Sequence, residues 1–263
     1  MSMKIVEWPR FLEVTLPFGG IPSAITVGIF DGVHRGHVAL IESIVLHNER
    51  AMPIVITFRR TGTAGVGYPG DIHSFRQKML IFESLGVSVT IVIELSESFK
   101  KMPGTDFLRI LKKKANMDYM TIGSNFHCGY KLDTDANAVR EFNHRVGIRT
   151  DILEPVTEDG QPISSSSIRT AIAQGNLLDA MTMLGRPFSV DLCRTGNEIT
   201  FDMAGKGQIL PPPGKYSVLL HMKKNWENVK KLVEITIEGG SIIMTRDSEY
   251  DKAQLESLEF LPQ

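Results

Sequence analysis

Gly28-Ile29-Phe30-Asp31-Gly32-Val33-His34-Arg35-Gly36-His37 joins two segments of different periodicity. Before it, Ala24-Ile25-Thr26-Val27 is short, apolar and β-branched, the composition of a buried strand. After it, Val38, Ile41, Ile44 and Val45 recur at helical spacing, so a helix begins near Gly36. A glycine-containing turn between a strand and a helix N-terminus offers backbone N–H groups and the positive end of a dipole to an anion. His34 and His37 lie three residues apart across that opening, and both rings can face one phosphate chain. Gly32 and Gly36 let the backbone come close to a ligand where a β-carbon would intrude, and Gly28 stands with them in the candidate nucleotide-binding set. Phe30 reads as a core residue under the turn, and with Asp31 it joins the candidate nucleotide-binding set. Closely spaced histidines also hold metals, but no third or fourth ligand lies near enough in sequence to support zinc.

A second constellation is Ser164-Ser165-Ser166-Ser167-Ile168-Arg169. Serines opening a helix supply N-caps and phosphate donors, with Ser165 and Ser166 the candidates. An arginine one turn in can fork onto phosphate oxygens through charge-assisted bonds.

Around these motifs the spacing predicts strands over 24–29, 53–58, 87–94, 118–122 and 148–153. Helices are predicted over 36–48, 74–85, 104–115, 134–146, 166–174 and 177–184. Strand–helix alternation implies a mostly parallel, Rossmann-like α/β sheet with helices on both faces, and ligands bind beyond the carboxyl ends of such strands. Thr61–Gly70, with four glycines, reads as a loop beside that edge. After Pro187 the pattern changes to short strands over 199–201, 216–220, 232–237 and 241–245, separated by Pro211-Pro212-Pro213-Gly214 and Gly239-Gly240. The expectation is a first domain over 1–187 and a small antiparallel β domain over 188–263.

Composition excludes several classes. Lys plus Arg total 29 against 30 Asp plus Glu, so no global charge draws the chain to nucleic acid or an anionic membrane. Lys112-Lys113-Lys114 reads as the solvated face of a helix. Two cysteines, Cys128 and Cys193, argue for a reducing compartment. Lys4, Glu7 and Arg10 interrupt the N-terminus, and no uncharged apolar run approaches the ~20 residues of a membrane span. These features predict a soluble cytoplasmic protein.

Gly28–His37 closely resembles the signature of bacterial FAD synthetases, the bifunctional riboflavin kinase/FMN adenylyltransferase family. Further pieces follow in the family's order: Val55-Ile56-Thr57-Phe58, Ile122-Gly123-Ser124-Asn125-Phe126-His127-Cys128-Gly129, Ile163–Arg169 (resembling I-S-S-T-x-I-R) and Leu184-Gly185-Arg186-Pro187-Phe188. The resemblance implies an H-x-G-H nucleotidyltransferase that moves AMP from ATP to FMN, giving FAD and pyrophosphate. It implies His34, His37 and Arg169 as catalytic residues, with Ser165 and Arg169 at the nucleotide phosphates. It places Thr57, Phe58, Asn125 and Phe126 about the flavin. Mg²⁺ is implied as the ion bridging the phosphates, with no protein ligand assigned.

The chain departs from that family in three places. Arg59-Arg60-Thr61-Gly62 follows Phe58 where the family has a P-H-P-type element. Asn125 stands where an acidic residue is common, and His127 where arginine is common. Between Ser189 and Gln263 there is no G-F-P-T-A-N-type kinase motif; Ala204-Gly205-Lys206-Gly207 lacks Walker spacing, and Pro213-Gly214-Lys215-Tyr216 only faintly resembles the kinase's P-x-G-x-Y. The tail is therefore expected to be a reduced kinase-like barrel without kinase activity. It is a candidate to brace the first domain, bind flavin weakly or mediate self-association. Two other functions fit the same motifs: another H-x-G-H nucleotidyltransferase, such as a cytidylyltransferase, and a non-catalytic flavin or nucleotide sensor.

Overall fold

Ser23–Val27 is buried at every position, as a strand covered on both faces must be. It is β2 in the run β1 (Lys4–Glu7), α1 (Trp8–Glu13), β2, α2 (Arg35–Val45), β3 (Met52–Arg59), α3 (Phe75–Ser84), β4 (Val89–Glu94), α4 (Glu97–Lys100), α5 (Gly104–Ala115), β5 (Met117–Gly123), β6 (His127–Cys128), β7 (Thr134–Asp135), α6 (Ala136–Arg145) and β8 (Arg149–Leu153). The structure, a computed structural model, describes residues 2–13, 20–59, 68–192, 200–202, 207–224, 226–244, 247, 250 and 253–262. Arg60, positions 61–67 of the glycine-rich loop, Cys193, Ile199, positions 204–206 and Thr245 lie outside the described residues.

Contacts divide the chain into two units. The first comprises Met1–Phe30, Gly36–Thr63 and Met79–Thr157; the second comprises Asp31–Arg35, Ala64–Lys78 and Glu158–Gln263. In the first unit six strands form a wholly parallel sheet in the order β1-β4-β3-β2-β5-β8. Strand order reverses between β2 and β5, the position at which doubly wound sheets open a crevice.

Side chains alternate across this sheet. Ile25, Val27, Ile54, Ile56, Ile91, Ile93, Met120 and Ile122 join one apolar cluster with Trp8 and Phe11 of α1, Phe107, Leu108 and Leu111 of α5, and Val139 of α6. The intervening residues Thr26, Val55, Thr57, Thr90, Val92 and Thr121 are buried outside that cluster, as are Ile41 and Ile44 of α2 and Phe82 of α3. Helix α5 buries Phe107, Leu108, Leu111 and Ala115 and exposes Lys112 and Lys113. Its three lysines lie in the last turn, where cations oppose the helix dipole, and Asn116 ends the helix at φ +52°.

The predicted core strands and helices are present with small shifts at their ends. Neither β1 nor α1 was foreseen. A four-residue edge strand and a six-residue helix are too short to display a period, yet Trp8 and Phe11 are buried. No described helix is long and apolar enough to cross a membrane.

After β9 (Thr157–Glu158), the second unit holds β10 (Gln161–Pro162), α7 (Ser165–Ala173) and α8 (Leu177–Leu184). It also holds strands β11 (Ser189–Asp191), β12 (Thr200–Asp202), β13 (Gly214–Lys224), β14 (Glu227–Glu238), β15 (Ser241–Met244) and β16 (Gln254–Phe260). The last six form an antiparallel sheet, β11-β16-β13-β14-β15-β12, with β11 and β12 at its edges. Val218, Leu220, Met222, Ile235, Ile237 and Leu258 are buried along it. Strand β16 escaped prediction because a bulge opposite His221/Met222 breaks its alternation, and Leu255 and Leu258 stand three apart.

Phe11 is fully buried between sheet and helices. Phe11→Ala is expected to cost about 3–5 kcal/mol, read as a lower urea midpoint at unchanged slope.

Candidate active site

The chain leaves β2 at Val27, and a short sequence of constraints fixes its path. Gly28 N donates to Ile56 O (3.0 Å), and the Thr57 hydroxyl donates to Ile29 O (3.1 Å). Phe30 takes φ +52° and is fully buried; its ring lies edge-on to Phe82 (5.6 Å) and to His37 (5.1 Å). Its side chain offers a ligand no surface, only a floor beneath the turn. Gly36 and His37 are half-buried in the first turn of α2.

A cavity of about 600 Å³ opens in the first unit beyond the carboxyl ends of β2, β3 and β5, within the usual size for a small-molecule site. Gly28, Ile29, Phe58 and Phe126 line it with Phe99, Met102 and Phe107; Asn125, His127 and Lys131 supply polar groups. Of the four residues expected at a flavin, Phe58, Asn125 and Phe126 reach this cavity. Thr57 does not line it: it is fully buried and holds Ile29, which does.

The 125–132 wall is anchored at its end. Asp133 Oδ1 accepts from Gly104 N (3.1 Å) and from the Thr134 hydroxyl (2.7 Å). Gly129, at φ +85°, fits there only without a side chain, since a β-carbon would stand 2.1 Å from Asp133 Oδ1. Burial, with Asp133 adding to it, pushes the Cys128 thiol up to about 12, so this cavity-lining cysteine remains a thiol and not a nucleophile. Arg59, in the position after Phe58, pairs with Glu7 (2.9 Å) and Glu94 (3.8 Å).

The second unit contains the rest of the turn, Asp31–Arg35, with the segment before α3 and helices α7 and α8. Asp31 is buried: Oδ1 accepts from Ile72 N (2.9 Å) and Oδ2 pairs with Arg169. Burial raises its pKa, and Arg169 opposes that rise. The serine run divides its work. Ser164 and Ser167 close a capping box on α7, the Ser165 hydroxyl donates to Asp31 O (3.0 Å), and Ser166 is exposed. Arg169 also donates through Nε to Gly70 O (3.0 Å) and through Nη2 to the Tyr68 hydroxyl (3.1 Å). Tyr68 in turn donates to Asp71 (2.6 Å).

Two histidines in this unit are held neutral. Burial and the nearby Arg186 cation lower His34 to about 4. Burial lowers His73 to about 3, with Arg186 reinforcing the shift. Tyr68, His73 and the reach of Arg186 onto the turn had no sequence signal of their own. Each makes a contact across the fold, and although Arg186 lies in the quoted Leu184–Phe188 motif, nothing local to it names the turn as its partner.

Among the described residues no group of three His, Cys, Asp or Glu side chains could hold a metal. Both Asp31 carboxylate oxygens already have protein partners. The described residues do not form a magnesium site.

A doubly wound parallel sheet, a glycine turn entering a helix, and a crevice at the strand-order reversal define an α/β protein of nucleotide-binding type. A sequence model of the family described as FAD synthetase matches residues 21–167, and the chain belongs to the FAD synthetase family. Bifunctional riboflavin kinase/FMN adenylyltransferase of Escherichia coli (strain K12) is 26% identical over 208 residues, covering 74% of this chain and 66% of that protein. The protein of the same name from Bacillus subtilis (strain 168) is 29% identical over 212 residues, 74% of this chain and 66% of the relative. That from Buchnera aphidicola (subsp. Acyrthosiphon pisum) is 26% identical over 178 residues, and the match spans 56% of its length. The matches thus cover less than two thirds of these relatives. Among solved structures, one titled as a macrolide-efflux protein from Streptococcus pneumoniae shares the fold at TM-score 0.79 and 18% identity, over 99% of this chain and 90% of that one.

The two neutral histidines give stability a defined pH dependence. Unfolded, each titrates near 6.5; folded, near 4 and 3. The unfolded chain therefore binds more protons below 6.5, so this contribution is complete above that pH and is lost as pH falls through the window. Each histidine contributes a slope of at most ~1.4 kcal/mol per pH unit. His73→Gln is expected to flatten the fall in unfolding free energy between about pH 4.5 and 6.5 by that amount. Urea melts across the window test it, and a variant curve parallel to wild type would contradict the assignment.

Proposed function

We propose that this chain is an FMN adenylyltransferase: it transfers AMP from ATP to FMN, releasing pyrophosphate and forming FAD, and does not phosphorylate riboflavin. The observation that carries this reading is the cavity of about 600 Å³ at the strand-order reversal. It is walled by Phe58 and Phe126 in a chain of the FAD synthetase family, whose named relatives carry that activity. A planar tricyclic ring needs such apolar walls, and Asn125, His127 and Lys131 offer hydrogen bonds at its edge.

In the reaction an oxygen of the FMN phosphate attacks the α-phosphorus of ATP, and the bond to pyrophosphate breaks. The chain forms no covalent bond; it orients two polyanions and stabilises charge on the transferring group. His34 and His37 donate hydrogen bonds to the phosphate oxygens. His34 does so as a neutral imidazole, which has one N–H to give. Arg169 supplies positive charge, Ser165 and Asp31 fix the turn, and Ser166, Gly32 and Gly36 are the further residues assigned to the nucleotide. Gly28 and Phe30 keep the backbone path under it. Magnesium would arrive on the phosphates of ATP, since the described residues offer no set of three His, Cys, Asp or Glu ligands for it.

The missing kinase motif between Ser189 and Gln263 supports the one-step reading. A cytidylyltransferase would prefer CTP, and a sensor would bind FMN or ATP and turn neither over.

Purified protein with FMN, ATP and Mg²⁺ is expected to yield FAD and pyrophosphate by chromatography, and riboflavin in place of FMN is expected to yield nothing. His37→Ala and Arg169→Ala should each lower kcat about 10²–10³-fold. Phe126→Ala should raise KM for FMN about tenfold, the loss of an aromatic wall worth ~1.4 kcal/mol. FMN appearing from riboflavin would overturn the one-step reading, and binding without product would move the assignment to a sensor.

A further inference from the structure

The turn that carries His34 is bent against its own preferences. Gly32 takes φ +78° and Val33 takes φ +41°, and a β-branched residue in the left-handed region is uncommon and costly. Such a conformation persists only where its surroundings over-determine it. At this turn one side chain dominates those surroundings. Arg186, two residues beyond the end of α8, donates through Nη2 to Gly32 O (2.6 Å) and Val33 O (2.7 Å), and through Nη1 to Leu184 O (3.1 Å). Every partner is a backbone carbonyl, and the guanidinium is largely withdrawn from water; burial lowers its pKa to about 10, so it stays charged. His73 adds a second bond to the Gly32 backbone. From the other side, Arg35 pairs with Glu158 and Gly32 has no room for a side chain, since a β-carbon would lie 3.0 Å from Ile72.

We propose that Arg186 is a positioning residue for adenylyl transfer, clamping the Gly32–Val33 peptides so that the imidazole of His34 is held in its working orientation. Both bonds to the turn leave Nη2, while Nη1 of the same rigid plane bonds Leu184 O, so the guanidinium ties the two turn carbonyls to the end of α8 in one fixed geometry; an ammonium carries its donors on a single rotating head at the end of a flexible stem. Arg186 acts through the turn and touches no reacting atom.

The ionisable groups on the segments that meet at the turn include Asp31, Arg35, Tyr68, Asp71, His73, Arg76, Lys78, Glu158, Arg169 and Arg186. Of these, Arg186 is the charge that bears on His34. Its removal therefore has two independent readouts, one of which needs no catalysis.

The kinetic readout rests on the adenylyltransferase reading. Arg186→Gln is expected to lower kcat about 10–100-fold with KM for FMN unchanged, because misplacing a catalytic group by about 1 Å costs ~10²-fold. Arg186→Lys, which keeps the charge and loses the planar link between the turn and Leu184 O, should remain at least tenfold below wild type. The second readout is histidine-ring NMR, with the His34 signal identified by its loss in His34→Gln. In Arg186→Gln its titration should rise by about one unit. A folded Arg186→Gln with kcat within twofold of wild type overturns the proposal. So does a fall in kcat accompanied by an equal rise in KM and an unmoved His34 titration, the pattern of general structural damage. If Arg186→Gln does not fold, Arg186→Lys decides on kcat, and wild-type kcat there overturns the clamp. If the wild-type protein makes no FAD, the functional reading fails, and the His34 titration in Arg186→Gln alone decides the clamp.

Discussion

Asp31 is the constraint on which the signature turn depends. A carboxylate taken out of water stays charged only if its oxygens are bonded and its charge is balanced. Asp31 meets both conditions within its own unit: one oxygen takes the Ile72 amide, the other takes Arg169, and its backbone carbonyl takes the Ser165 hydroxyl. Two segments far from it in sequence, the stretch before α3 and helix α7, are thereby tied to one residue. Removing any partner would leave a buried charge or a buried carbonyl short of a bond, so the group holds as a set.

That demand explains the chemistry of the serine run. A lone phosphate-binding helix start needs one cap and free donors; here Ser164 and Ser167 cap each other and Ser165 turns to the carbonyl of Asp31. Arg169 is likewise engaged by Asp31, Gly70 and Tyr68. The residues with the strongest claim to phosphate contact thus also build the turn. Their substitution would combine a loss of charge with a loss of local structure.

The first unit solves a different problem. A parallel sheet closes its strands to solvent on both faces and leaves space only past their carboxyl ends, where order reverses between β2 and β5. The cavity there owes its shape to small fixed points: Thr57 on the Ile29 carbonyl, Asp133 on Gly104 and Thr134, and a glycine at 129 where any side chain would collide. None of these faces the cavity with a large surface, yet each sets where Ile29 or the 125–132 wall must stand.

The sequence by itself determined the parallel sheet, its central strands, helices α2, α3 and α5–α8, the signature turn, the serine-capped helix and the family. Each of these writes a local pattern: a strand buried on both faces is continuously apolar, an amphipathic helix repeats every three to four residues, and a glycine turn between them is contiguous. Only the tertiary structure decided that Thr57 supports the cavity without entering it and that Arg186 and His73 bond to the turn. It also revealed α1, where two buried aromatics in six residues carry no period, and β16, whose alternation a bulge interrupts. Local order is set by neighbours along the chain and can be read there; a hydrogen bond spanning 154 residues, as from Arg186 to Gly32, depends on how the chain folds back and leaves no local mark.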